Sequence, residues 1–237
     1  MNINEHFQAI VFDFDGTLID TLPSLAAAAN AVLEQHGLAP VQASQLRPAL
    51  NEGLRPLFRK ALALQALAAP GTPAPDADRF EAACMAHYTD AWMVSAPLFD
   101  GAADCLQALR SRGLQLAICT NRDPASTAVL LNATGIAGHF DVVVGLGDAP
   151  RPKPAPDPLL QAMERLGTAP AHTLLVGDSA MDARCAASAQ VRFAAHLGGY
   201  AHHPDDLLPR VFHFSAYREC TPWLLHAAPL RSEVTHA

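Results

Sequence analysis

Val11-Phe12-Asp13-Phe14-Asp15-Gly16-Thr17-Leu18 decides how this chain is read. An apolar run of strand character, roughly Ala9 to Phe14, is of the kind buried inside a parallel sheet. It carries two carboxylates, Asp13 and Asp15, where it meets a glycine turn. Side chains two apart on an extended chain point to the same side. Asp13 and Asp15 are therefore expected to converge at the carboxyl edge of a sheet, where ligands bind in open α/β folds. Two anions so close repel each other unless a cation lies between them or one keeps a proton, and either outcome is usable chemistry. A plain surface turn also favours Asp and Gly, so the decision rests on the residues downstream.

Beyond this stretch, Asp20-Thr21-Leu22-Pro23 reads as a cap and proline opening a helix to about His36, with Gly37 as its stop. From there to about Pro97 the pattern is helical: Ser44 to Leu50, Gly53 to about Leu67, and Asp78 to about Val94. A break at Ala69-Pro70-Gly71-Thr72-Pro73-Ala74-Pro75 is rich in residues that stop helices and reads as an exposed loop. Strand and helix then alternate, the signature of βαβ units and a parallel sheet. Helices are expected at Ala102 to Arg112, Pro124 to Thr134, Asp157 to Leu166 and Ala180 to Ala189. Strands are expected at Gln115 to Cys119, Asp141 to Val144, Thr173 to Val176 and Arg192 to His196. After Gly198-Gly199-Tyr200 the signal weakens to a last strand at Val211 to Phe214 and a helix at Tyr217 to Leu225, before a frayed tail from Arg231.

Parallel strands all point one way, so polar residues at their carboxyl ends gather at one edge. Asp13 and Asp15 are joined there by Thr120 and Asn121, and by Asp178 with Asp182 four residues on. Taken singly, Thr120-Asn121 could be a helix cap before Pro124 and Gly177-Asp178-Ser179 a strand-to-helix turn. The four carboxylates call for a nearby cation, and Lys153 offers one. It lies between Pro152 and Pro154, on a backbone expected to be stiff and extended, which aims its ammonium at small entropic cost.

Composition narrows the class of function. The chain has 237 residues, half of them apolar, enough for a sizeable core in one large or two unequal domains. A net charge of −7 without a long basic run argues against a nucleic-acid surface. Apolar stretches are short, and Met1-Asn2-Ile3-Asn4-Glu5-His6 lacks the basic-then-apolar layout of a signal peptide, so no membrane association and a cytoplasmic location are expected. Five cysteines without a C-x-x-C pair suggest reduced core thiols rather than disulfides or a zinc knuckle. Oligomeric state is not legible.

Asp13-Phe14-Asp15-Gly16-Thr17, Thr120-Asn121, Lys153 and Gly177-Asp178-Ser179-Ala180-Met181-Asp182 resemble, in order and character, the motifs of the haloacid-dehalogenase-like (HAD) phosphohydrolases. The resemblance covers nearly the whole chain. It is strongest toward the phosphoglycolate phosphatase branch, on Leu18-Ile19-Asp20-Thr21, Thr120-Asn121-Arg122 and Lys153-Pro154-Ala155-Pro156-Asp157-Pro158-Leu159-Leu160. Asn51-Glu52-Gly53-Leu54-Arg55 is also similar. Departures are the Ala/Pro-rich loop, Gln190 where relatives often have glycine, and the region from Ala201.

The resemblance implies an α/β fold: a doubly wound, mainly parallel, Rossmann-like core (1–21 plus 96–237) with an inserted all-helical cap domain (22–95) that sets substrate choice. It implies a Mg²⁺-dependent phosphomonoesterase acting on a small, phosphoglycolate-like metabolite. Asp13 would be the nucleophile that forms an aspartyl-phosphate, and Asp15 the general acid, its proton favoured by a neighbouring carboxylate. Asp13, Asp178 and the Asp15 carbonyl would ligate the metal, with Asp182 in its water shell or orienting Lys153. Gly16, Thr17, Thr120, Asn121 and Lys153 would bind phosphate, the first two through their amides. In the cap, Asn51, Glu52, Gly53 and Arg55 are candidates for substrate selection. Arg55 or Arg122 would meet a substrate carboxylate, because a guanidinium pairs two oxygens at once. Dehalogenases of similar fold lack a second aspartate at the Asp15 position, since a halide leaves without a proton. Alternatives are a sugar-phosphate mutase, a phosphatase of a phosphosugar such as a 6-phosphorylated amino sugar, and a non-catalytic phosphate-binding module.

Overall fold

The computed structural model describes residues 7–50, 54–68, 74–92 and 96–227 of the chain. The opening apolar run forms β1 (Ala9–Phe12), with all four side chains buried. Around it lie β2 (Gln115–Cys119), β3 (Val142–Val144), β4 (Thr173–Gly177), β5 (Arg192–His196) and β6 (Phe212–Phe214). They form a six-stranded sheet in the order β3-β2-β1-β4-β5-β6, every pairing parallel. A fully buried central strand explains why β1, β2 and β4 read as continuous apolar runs rather than alternating ones.

The sheet order reverses between β1 and β4, and doubly wound sheets bind their ligands at the carboxyl ends of the strands beside such a switch point. Register fixes what lies there. Phe12 is level with Ile118 on β2 and Val176 on β4. One residue past that level is Asp13, and two residues past it on the flanking strands are Thr120 and Asp178.

The chain divides into two compact units, one of Met1–Ile19 with Leu98–Ala237 and one of Asp20–Pro97. In the first, α5 (Ala102–Ser111), α6 (Pro124–Ala133), α7 (Asp157–Leu166), α8 (Ala180–Ser188) and α9 (Tyr217–Ala227) accompany the sheet. Two of these helices begin beside the site, and the sequence supplies both starts. Asp123 accepts from the Ser126 amide at 2.9 Å ahead of Pro124, and Ser179 with Asp182 forms a reciprocal capping box at the start of α8.

The second unit is all-helical among the described residues: α1 (Leu22–Gln35), α2 (Ala43–Leu50), α3 (Leu54–Ala68) and α4 (Ala77–Trp92). Asn30 fastens the α1–α2 connection, its side chain bonding both the amide and the carbonyl of Val41 at 2.8 and 3.0 Å. Between α3 and α4 the buried Glu81 is met by Arg59 at 2.9 Å and Arg55 at 3.2 Å. Most of the loop expected at Ala69–Pro75 lies outside the described residues, as do Asn51, Glu52, Gly53 and the tail from Arg231. No helix among the described residues is long and apolar enough to cross a membrane.

Candidate active site

At the carboxyl ends of β1 and β4, Asp13 and Asp178 are buried, and Asp182 joins them from the first turn of α8. One oxygen from each of the three lies within 4.8 Å of the others. The buried Lys153 is placed among them, its Nζ at 2.7 Å from Asp13 Oδ1 and 2.6 Å from Asp182 Oδ1. Burial works against the ammonium, but Asp13 and Asp182 outweigh it and hold the Lys153 pKa well above its usual value. On the other side of the balance, burial and the Asp182 charge push Asp13 up to about 7 against the pull of Lys153. Burial, then Asp13 and Asp182, push Asp178 well up too. Three buried carboxylates thus face one buried ammonium, an imbalance that a divalent cation would correct. The donors are hard oxygens without thiolate or imidazole, which suits Mg²⁺.

Each group is held by a second layer. Asp182 uses Oδ1 for Lys153 and Oδ2 for the Ser179 hydroxyl and amide at 2.6 and 3.0 Å, so the helix cap and the lysine are aimed by one side chain. Asp178 accepts from the Thr17 hydroxyl at 3.0 Å and the Tyr200 amide at 2.7 Å. Asn121 clasps the Lys153 backbone, accepting from its amide at 3.0 Å and donating to its carbonyl at 2.9 Å. Thr120 is buried beside them and accepts from the Arg122 amide at 3.1 Å.

Several expectations change in detail. Asn121, expected on phosphate, acts here on the backbone of Lys153. That lysine is not on an extended segment but in a turn closed by the Ala155 amide on the Pro152 carbonyl at 3.0 Å, with a cis Lys153–Pro154 bond. The Gly16 and Thr17 amides, expected to face phosphate, donate within their own turn to Ile19 and Phe14 carbonyls at 2.9 and 3.4 Å. Thr17 also reaches Asp178 through its hydroxyl. Asp15, expected against a carboxylate, is clasped by Arg122, with Nε on Oδ2 at 2.8 Å and Nη2 on Oδ1 at 2.7 Å. The turn needs its glycine: Gly16 has φ +77°, and a Cβ there would lie 2.2 Å from Asp178 Oδ2.

Reading the sequence missed the contributions of His196, Gly199, Tyr200 and Tyr217. A signal existed in Gly198-Gly199, since a glycine pair just past the end of a strand marks close backbone approach. A Cβ on Gly199 would fall 2.3 Å from Asp178 Cβ and 2.4 Å from the Gly16 carbonyl oxygen.

The chain resembles known proteins over most of its length. Residues 10–196 match the model of the haloacid dehalogenase-like hydrolase family. The phosphoglycolate phosphatase of Cereibacter sphaeroides (strain ATCC 17025) is 34% identical over 218 residues, covering 92% of this chain and 97% of that one. That of Rhodospirillum rubrum is 32% identical over 222 residues, covering 92% and 90%. Among solved structures, a predicted phosphoglycolate phosphatase from Haemophilus somnus 129PT superposes with a TM-score of 0.75 at 26% identity, covering 92% of this chain and 97% of its own. With a parallel sheet in 3-2-1-4-5-6 order, a buried Asp13–Lys153–Asp178–Asp182 centre at its switch point and these matches, the chain is a hydrolase of the haloacid dehalogenase-like family.

Proposed function

We propose that the protein is a Mg²⁺-dependent phosphomonoesterase acting on a small, carboxylated phosphate ester of the phosphoglycolate kind through an aspartyl-phosphate at Asp13. The observation that carries this reading is the excess of buried carboxylate over ammonium at the switch point. Mg²⁺ held by Asp13, Asp178 and the Asp15 carbonyl would offset the repulsion between these carboxylates and a phosphate dianion.

The chain's own residues divide the remaining work. Lys153 and a bound divalent cation would favour the ionised form of Asp13, and an ionised carboxylate needs no base once charge repulsion is cancelled. It attacks phosphorus, the bond to the ester oxygen breaks, and that oxygen takes a proton from Asp15. Asp15 then takes a proton from the water that cleaves the aspartyl-phosphate. Lys153 and the Thr120 hydroxyl hold phosphoryl oxygens, where charge is concentrated during in-line transfer.

The Arg122 clasp gives the substrate's carboxylate a role. A carboxylate with both oxygens accepting from a guanidinium offers no proton in that arrangement. A substrate carboxylate suits the same planar fork. Exchanging it for Asp15 at Arg122 would bind the substrate and free the acid in one event. Selectivity for the rest of the substrate is assigned to the Asp20–Pro97 unit, since phosphate chemistry is common to every ester. A reducing cytoplasmic setting suits the five free, buried cysteines.

The test is a phosphate-release screen over alkyl, aryl, sugar and carboxylated phosphates with and without Mg²⁺. Mg²⁺-dependent release, fastest on a carboxylated ester, is expected. Release undiminished in excess chelator would overturn the mechanism, and isomerisation of a phosphosugar with little free phosphate would make the protein a mutase.

A further inference from the structure

The segment after β5 reaches back beneath the turn that carries Asp15. His196, the last residue of β5, and Tyr217, the first of α9, are each about 1% exposed. His196 Nδ1 lies 2.9 Å from the Gly16 carbonyl, and the Tyr217 hydroxyl donates to the Thr17 carbonyl at 2.9 Å. A carbonyl only accepts, so the imidazole proton in that contact sits on Nδ1. Two successive carbonyls of the turn are therefore gripped from one side. Because a peptide unit is planar and rigid, holding Gly16 O and Thr17 O fixes the orientation of both peptide planes.

The grip is itself braced. The imidazole stacks on Phe214 with ring centres 4.8 Å apart and meets the edge of Phe99 at 4.7 Å, while Phe214 meets Tyr217 edge-on at 5.4 Å. Gly198 passes so close that a Cβ there would lie 2.7 Å from His196 Nε2 and 2.6 Å from the Ser215 carbonyl. The same passage delivers the Tyr200 amide to Asp178. Burial holds the Tyr217 phenol pKa well above its usual value, so the hydroxyl remains a donor at ordinary pH.

We propose that His196 and Tyr217 are positioning residues: gripping the Gly16 and Thr17 carbonyls, they hold the turn so that Asp15 meets the leaving oxygen. This makes the end of β5 and the start of α9, braced by Phe214 of β6 and outside the chemical step, part of the catalytic apparatus. The inference rests on the reading of Asp15 as general acid, and its consequence differs from that of general destabilisation. A protein that merely unfolds more readily loses activity on every substrate in proportion. A displaced acid loses more on esters whose leaving group needs the proton.

The experiment measures kcat and KM of Tyr217→Phe, which keeps the ring and removes only the hydroxyl, on an alkyl phosphate and an aryl phosphate, with Asp15→Asn alongside. Tyr217→Phe is expected to lower kcat about tenfold on the alkyl ester, with KM little changed and at most a twofold loss on the aryl ester, as for a modestly misplaced group. A second pair guards against loss of folding: His196→Asn keeps a donor near Nδ1 and should retain more of the alkyl-to-aryl ratio than His196→Leu. If Asp15→Asn shows the leaving-group dependence and Tyr217→Phe loses nothing, or loses equally on both esters, the positioning role is overturned and the acid assignment stands. If Asp15→Asn shows no leaving-group dependence, the acid assignment falls and the inference falls with it.

Discussion

Asp13 and Asp15 are two residues apart, and each meets a cation, yet the two pairings are built for different purposes. Asp13 shares the buried Lys153 with Asp182, and Asp178 adds a third carboxylate to the same pocket of charge. Asp15 meets Arg122 in a two-bond fork, with 29% of its side chain exposed. The first arrangement is rigid and charge-unbalanced: it cannot relax without stranding a buried ion, and it calls for a further cation. The second joins a carboxylate and a guanidinium of equal and opposite charge, and Asp15 is exposed enough for water to replace part of the fork when it opens. On the proposed mechanism, the nucleophile would thus be fixed in place while the proton donor is held on a clasp that can be released.

The sharpest way to break that contrast is to remove each carboxylate in turn. Asp13→Asn deletes the attacking oxygen and should lower turnover about 10⁵-fold or more on every ester, the scale seen when a nucleophile is removed. Asp15→Asn deletes only the proton donor, so the loss should be about 10²- to 10⁴-fold on alkyl esters and far smaller on aryl phosphates. Phosphate release by the two variants on both ester types is the measurement. Equal losses from Asp15→Asn on alkyl and aryl substrates, with phosphoryl transfer limiting the rate, would remove the distinction between the two aspartates.

The lysine gives the next largest effect. Lys153→Met keeps much of the volume and removes the charge, leaving Asp13 and Asp182 without their shared ammonium. Breaking a buried pair from one side costs about 3 to 5 kcal/mol, and that loss should appear in denaturant unfolding of the metal-stripped variant. The corresponding loss for Arg122→Met should be smaller, about 1 to 2 kcal/mol, since the partly exposed Asp15 can be hydrated once the guanidinium is gone. Similar losses for the two variants would erase the claimed difference between a fixed centre and a clasp.

A pH series tests the imbalance at lower cost to the protein. Asp13 has its folded pKa raised from 3.8 to about 7, and Asp178 is raised as well. A carboxyl raised on folding binds its proton more tightly in the folded state. The stability it contributes is full below the unfolded value and is lost as pH rises through the folded one. Asp123 and Asp157 are shifted the other way and weaken the protein only as pH falls toward their depressed values, so the informative window is pH 5 to 8. In chelator, stability should fall by on the order of 2 to 4 kcal/mol across that window. Millimolar Mg²⁺ should raise the unfolding midpoint and flatten the slope. A metal-free protein equally stable at pH 5 and pH 8 would mean that the carboxylate cluster is not under charge stress.

The same contrast describes what could be read from the sequence. The sheet, its order of elements and the residues of the buried centre were legible because each follows from local pattern. Continuous apolar runs mark buried parallel strands, and polar residues after β1, β2 and β4 must share an edge whatever else the chain does. The partners within that edge were not legible. Nothing in Thr120-Asn121-Arg122 says that Asn121 turns to the Lys153 backbone while Arg122 takes Asp15, because those choices depend on how loops from different strands meet. The contributions of Tyr217 and His196 were hidden for the same reason: their partners on the Gly16-Thr17 turn lie about 200 and 180 residues away in the chain.

The smallest expected effect bears on which arginine reads the substrate. Arg122 presents a planar fork that already accommodates one carboxylate, and a carboxylated ester would take that place. Arg122→Ala should raise KM for a carboxylated ester about tenfold, the scale of a charge-assisted pair in a partly solvated site, while leaving KM for a neutral aryl phosphate within about twofold. Arg55 is differently situated: its side chain is 79% exposed and its guanidinium pairs with Glu81, which Arg59 also holds. Arg55→Ala should therefore cost less than about 0.5 kcal/mol of stability, with KM for both esters within about twofold of the parent. The two variants assayed on both esters decide the matter. A selective KM rise with Arg55→Ala and none with Arg122→Ala would move carboxylate recognition to the helical unit and leave the clasp on Asp15 with no part in substrate choice. With no selective change in either variant, neither arginine reads a carboxylate and the substrate is simply a small phosphate ester.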